Sequence, residues 1–355
     1  MNLRMARAAA RPLAAVGTVL VLSAVSAGVL SARPQPLAAD AAKPAGAKFL
    51  LAWGGLGDKP GEFHSPIGLA INARDEVFVT DLNNARVQRF TSEGKHLGGF
   101  DLPIDTPPRK SCMVGGIAVD AVGQVYLSLM LQHRVVVYTE AGELVRGWGK
   151  PGAGDGEFDQ PGGIALAPDG SVYVADQCNH RVQVFTKEGK FVRRFGGYGP
   201  ALGQFGPPEP AGTRFGGPHH VALDMGGRLY TTEAAAGRVQ QFDAAGGRPL
   251  AAWGDKGGEP GGFGATAALK GNPNTFGPIG LCLDGHGRVW VSSLNDRVQL
   301  YSADGAFVLG LGLEGTGDGP GRFARPHGMA VDSQGNLYVA DSGNQRVQKF
   351  AVPDP

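Results

Sequence analysis

The chain has 355 residues, of which 58 are glycine and 25 proline, roughly a quarter of the sequence and about twice the usual share. With 42% hydrophobic and 18% charged residues it is too apolar for a disordered chain, and no G-X-Y period marks a collagen. The formal net charge is +1, but Arg4, Arg7, Arg11 and Arg33 supply four of the 33 basic residues; the rest sets 29 bases against 32 acids, which argues against a nucleic-acid partner.

Arg4, Arg7 and Arg11 precede Leu13–Leu30, an uncharged apolar run of 18 residues, in the pattern of an export signal. Small residues at Val25 and Ala27, and again at Ala39 and Ala41, offer cleavage sites, while the run is also long enough to stay as an anchor. Both alternatives stand. In either, upstream positive charge holds the N-terminus in the cytoplasm and sends the rest of the chain across the membrane. Residues 1–45 therefore read as a signal peptide or signal anchor plus linker. Residues 46–355 read as one extracytoplasmic domain, secreted, periplasmic or membrane-anchored facing outside, and expected to be monomeric.

From there one motif recurs, P-x-G-[IL]-A-V-D-x-x-G-x-V-Y-V-A-D-x-x-N-x-R-V-Q-x-F. Its clearest copies span 161–185 and 326–350. The arginine that marks each copy stands at Arg86, Arg134, Arg181, Arg238, Arg297 and Arg346, at intervals of 48, 47, 57, 59 and 49 residues. In the third copy, alternation and β-branched content predict strand a at Gly163–Ala167, b at Val172–Asp176, c at Arg181–Phe185 and d at Lys190–Phe195, with Pro168-Asp169-Gly170 and Glu188-Gly189 as turns. Four antiparallel strands in about 48 residues make a propeller blade. The prediction is an all-β fold, a six-bladed β-propeller of four-stranded antiparallel blades. The sixth copy ends after strand c. Lys48–Trp53 resembles the strand-d segments at 190–195 and 248–253, so the N-terminal strand is expected to complete the last blade and close the ring.

The G-x-F-x-x-P lead-ins at Gly61–Pro66, Gly156–Pro161 and Gly321–Pro326, together with V-Y-V-A-D and N-x-R-V-Q-x-F, resemble the NHL repeat over residues 48–350. The resemblance implies a six-bladed propeller without fixing a function, since such propellers serve as lyases, sensors, RNA readers and scaffolds.

Strand parity places the b–c loops and the d-to-a connections on one face. The long stretches Gly196–Gly217 and Gly254–Gly277 lie there, and function on a rigid scaffold usually sits on such loops. Tyr198, Phe205, Phe215 and Phe276 in these stretches are candidate anchors for a partner. Asp81, Asp176, Glu233 and Asp341 stand five residues before a repeat arginine and read as its structural partners. Leu129 and Ser293 break that rule, which leaves Arg134 and Arg297 as candidate ligand-binding cations, with Asp296 or nearby backbone as the bland alternative for Arg297.

His219, His220 and His327 open strand a of the fourth and sixth copies at the inner rim, where neutral imidazoles suit a divalent transition metal such as zinc. The peptidyl-hydroxyglycine amidating lyases, which resemble this chain distantly, imply a P-H histidine in three alternating blades. Pro218-His219 and Pro326-His327 match, and the third position is Val114-Gly115. Cys112 and Cys178 fall on the loop-rich face of adjacent blades and form a candidate disulfide, whereas Cys282 reads as a buried thiol. Gly152–Gly156 and Gly315–Gly319 lead into strands and read as turns, not phosphate loops. The leading expectation is a binding or scaffold module for a protein, peptide or glycan. The alternative is a metal-dependent lyase or hydrolase at the channel mouth.

Overall fold

Runs such as Val172-Tyr-Val-Ala-Asp176, bounded by turn-forming glycines, favour short extended segments over helix. The computed structural model describes residues 46–103, 113–206, 216–264 and 277–354, all within the compact unit Pro34–Pro355. They form six four-stranded antiparallel sheets. Helix among the described residues is limited to 3-10 turns such as Gln177–Asn179 and Ser342–Asn344. No helix among them is long and apolar enough to cross a membrane. The segment 1–45, including the export signal, lies outside the described residues.

In blade three the strands are Pro161–Leu166, Val172–Asp176, Arg181–Phe185 and Phe191–Gly196, paired in that order. Strands b and c fall where the repeat places them; a and d differ only at their ends. The first strand, β1 (Lys48–Gly54), pairs antiparallel with β24 (Arg346–Ala351) in the last blade, from Lys48 opposite Ala351 to Gly54 opposite Arg346. The chain's two ends therefore close the ring, as the missing strand d of the sixth copy requires.

Six inner strands surround the axis: Pro66–Ile71, Val114–Val119, Pro161–Leu166, His220–Leu223, Pro278–Leu283 and Pro326–Val331. Each packs against the next, and the last against the first. Backbones approach closely here. A Cβ on Gly163 would lie 2.6 Å from the His220 Cα, and one on Gly328 would lie 2.4 Å from the Ile67 carbonyl. The glycine of P-x-G is thus demanded by packing. Blade four alone among the six carries a side chain larger than hydrogen at this place, His220.

Apolar residues form six layers, one between each pair of neighbouring blades. At the seam between blades six and one, Trp53 lies 6.1 Å from Tyr338 and 5.8 Å from Phe90, ring centre to ring centre. The phenylalanines of the G-x-F loops, Phe63, Phe158, Phe205, Phe263 and Phe323, are all fully buried. Each contributes roughly 2–3 kcal/mol relative to an exposed ring. Strand-d aromatics also wedge against the c–d turn of the following blade. Trp148 sits on Gly189, whose φ of 84° and missing Cβ both serve the fit.

Candidate functional site

The antiparallel pairing sets the b–c loops and d-to-a connections on one face, around the mouth of the channel. Most of the recurring polar residues there build the scaffold. Asp176 is fully buried and accepts from Arg181 Nε at 2.7 Å, Gln183 Nε2 at 3.0 Å, Asn179 Nδ2 at 3.0 Å and the Asp159 backbone N–H at 2.8 Å. Burial lifts this carboxyl above its ordinary value, and the Asp159 N–H, Asn179 and Arg181 oppose that rise. Arg181 donates onward to the carbonyls of Ala153, Gly154 and Glu157. The glycine-rich run 152–156 is therefore a stitched turn. The same pairing joins Asp81 to Arg86, Glu233 to Arg238 and Asp341 to Arg346, each at 2.8 Å.

A second recurring device escaped the sequence reading. The glutamine of R-V-Q clamps the G-x-F loop, with Gln183 accepting the Gly156 N–H at 3.0 Å and donating to the Glu157 carbonyl at 2.7 Å. Gln88, Gln240, Gln299 and Gln348 repeat it. The signal was the recurrence of that glutamine in all copies but the second, which has Val136.

The two exceptional arginines stand apart from this scheme. Arg134 faces Leu129, and its Nε has no hydrogen-bond partner. Arg297 faces Ser293 and is only 5% exposed; its guanidinium donates to the Glu259 carbonyl at 3.2 Å, and its Nε has no partner. Asp296 does not pair with it. That carboxylate instead accepts the Arg325 backbone N–H at 2.6 Å and the Thr316 hydroxyl, tying blade five to blade six.

Inside the ring of loops, the residue after the proline that opens the repeat, or after Val114 in blade two, is Ile67, Gly115, Gly162, His219, Ile279 or His327 in blade order. The structure brings the three histidines together. His219 and His220 both lower the proton affinity of His327, and His219 lowers that of His220. Burial is the larger cause and pushes His220 and His327 each to about 3. His219 is lowered too, again by burial, against a hydrogen bond with the Ile279 backbone. Its Nδ1 is buried without a partner. All three rings are therefore neutral at pH 7. Among the described residues, no three His, Cys, Asp or Glu side chains are placed to hold a metal ion. With Gly115 at the third position, the chain's described residues do not complete a three-ligand zinc centre.

Two of the four loop aromatics are not anchors. Phe205 is fully buried against Phe242, with ring centres 5.6 Å apart, and Tyr198 stacks edge-on against His180 at 4.8 Å. Phe205 belongs to the apolar layer between blades three and four and Tyr198 packs on the b–c loop of blade three, so neither is a free anchor. Phe215 and Phe276 lie outside the described residues. Among the described residues, the large apolar side chains this face exposes include Leu56, Leu202, Leu313 and Met113. Cys178 lies in the b–c loop of blade three, while its candidate partner Cys112 lies outside the described residues. Cys282 sits in the inner strand of blade five, where burial raises its thiol far above the ordinary range.

Residues 63–90, 158–185 and 323–350 each match the NHL repeat. The chain carries NHL repeats. Human NHL repeat-containing protein 3 is 38% identical over 85 residues, 22% of this chain and 24% of that protein. The mouse E3 ubiquitin-protein ligase TRIM71 is 35% identical over 78 residues, 19% of this chain and 9% of that protein. The matched stretch thus spans a quarter or less of the curated relatives. A catalytically inactive virginiamycin B lyase from Staphylococcus aureus, solved with quinupristin, superposes with a TM-score of 0.52 at 15% identity, covering 83% of each chain. At that identity the likeness is one of fold.

Proposed function

We propose that this NHL propeller is an exported binding module that takes a protein, peptide or glycan on its loop-bearing face, with part of the ligand seated at the channel mouth. NHL-repeat propellers commonly serve in protein binding. The observation that carries the reading is the buried, unpartnered Nδ1 of His219 among neutral imidazoles at the centre of that face. A buried polar atom without a partner calls for one from outside. Leu56, Leu202, Leu313 and Met113, exposed on the surrounding connections, supply apolar contact at a polar centre. Export rests on the signal-like segment before residue 46.

Site-specific photocrosslinking tests the reading. A photoreactive residue at Asp58 or Lys256 on the loop face should capture a partner in the extracytoplasmic fraction of the native host, and one at Glu93 or Asp169 on the opposite face should not. Equal capture from both faces, or capture from the opposite face alone, would reject the reading. The metal-dependent alternative draws support only from the proximity of His219, His220 and His327. Stoichiometric metal in protein purified from its host, lost on replacing His219 and His327, would favour it.

A further inference from the structure

The six blades are near-copies, so a group missing from one is measured against the others. In blades one, three, four and six, a fully buried carboxylate collects the repeat arginine's Nε, one amide hydrogen of the R-V-Q glutamine and, in blades one, three and six, one of the asparagine three residues on. Blade five keeps the arginine and glutamine donors and lacks the acceptor; its b–c loop is one residue shorter, with Asn295 two residues after Ser293 in place of the sister asparagine. Ser293 stands opposite Arg297 as Asp176 stands opposite Arg181. Ser293, Asn295 and Gln299 are fully buried, and Arg297 nearly so.

Each donor is part-used, as in the sister blades. Gln299 Nε2 donates to the Gly262 carbonyl at 3.0 Å and Asn295 Nδ2 to the Gly264 carbonyl at 2.8 Å, and each amide nitrogen has a second hydrogen. The Ser293 hydroxyl is spent on Asn295 Oδ1. Arg297 Nε has no acceptor at all. Among the described residues no carboxylate lies within ion-pair distance of it: Asp296 is engaged by blade six, and Glu259 offers its backbone carbonyl while its carboxylate acts only at longer range. A guanidinium stays protonated, and an uncompensated buried charge is costly.

We propose that blade five binds a small monovalent anion, a halide such as chloride, beside Arg297 Nε, in the place that four sister blades fill with a carboxylate oxygen. Serine is a shorter side chain than aspartate, and the fully buried Ser293, Asn295 and Gln299 around the place restrict it to a small ion. The anion completes the hydrogen bonds of Arg297, Gln299 and Asn295 and fastens the G-x-F loop of this blade.

The probe is bromide. Wild-type protein in sodium bromide should melt about 2–4 °C above the same protein in sodium gluconate at equal ionic strength, with a saturating dependence. Ser293→Asp, which restores the sister arrangement, and Arg297→Gln, which removes the charge, should each abolish the difference; Arg134→Gln should retain it. Bromide-soaked crystals should show an anomalous peak beside Arg297. Equal melting of wild type in both salts with no peak would overturn the proposal, as would a full halide response in both Ser293→Asp and Arg297→Gln.

Discussion

His219 in blade four hydrogen-bonds to the backbone of Ile279 in blade five, so an imidazole at the channel mouth is fixed across a blade boundary. The Ile279 carbonyl also accepts from the Thr232 hydroxyl at 2.8 Å. A site assembled this way depends on two blades holding their register, which couples its geometry to the folding of the whole ring.

That coupling gives stability a pH dependence. His220 and His327 titrate near 3 when folded and near the ordinary histidine value of about 6.5 when unfolded. Between those values the unfolded chain binds more protons, so stability is complete above about pH 6.5 and falls as the pH drops towards 3. Because the rings are partly open to channel water, the loss between pH 7.5 and 5 is on the order of 1 kcal/mol per ring. Guanidinium unfolding at the two pH values measures it, and His220→Asn with His327→Asn should flatten the dependence.

The Asp176–Arg181 pair predicts a different signature. Asp176→Ala leaves a buried guanidinium and strips an acceptor from four donors, and should cost about 3–5 kcal/mol. The double variant Asp176→Leu, Arg181→Met should recover a large part of that loss. Urea unfolding of the three proteins distinguishes a buried pair from a surface one, for which both variants would cost less than about 1 kcal/mol.

Two glycines in turns on the other face separate backbone strain from packing. Both Gly170 and Gly189 have positive φ, 87° and 84°. A Cβ at Gly170 meets only Lys187 at 3.7 Å, whereas one at Gly189 would lie 2.6 Å from the Trp148 ring. Gly170→Ala should cost about 1 kcal/mol and Gly189→Ala clearly more, about 2–4 kcal/mol, in calorimetric melting.

The repeat made the fold legible because strand, turn and pairing signals recur together, and because a missing strand d at one end had its counterpart near Trp53. The histidines were legible as rim residues since P-x-G fixes their place on the inner strand. That no acidic ligand joins them among the described residues was not legible, because it depends on which side chains from other blades reach the axis. Asp296 misled for a local reason. It adjoins Arg297 in sequence, but its φ of 62° turns it towards Arg325 of the next blade. The loop aromatics misled likewise, because Phe205 looks like an exposed anchor until the stitching by Arg238 to the carbonyls of Pro200 and Gln204 draws the loop down.

Everything placed at the channel mouth rests on the pairing of β1 with β24. Removing residues 46–54 should lower the melting temperature by ~10 °C or more and expose the β24 edge, so that the shortened protein self-associates in sedimentation. An unchanged melting temperature in a protein that stays monomeric would contradict the closed ring, and with it the shared axis of His219 and His327.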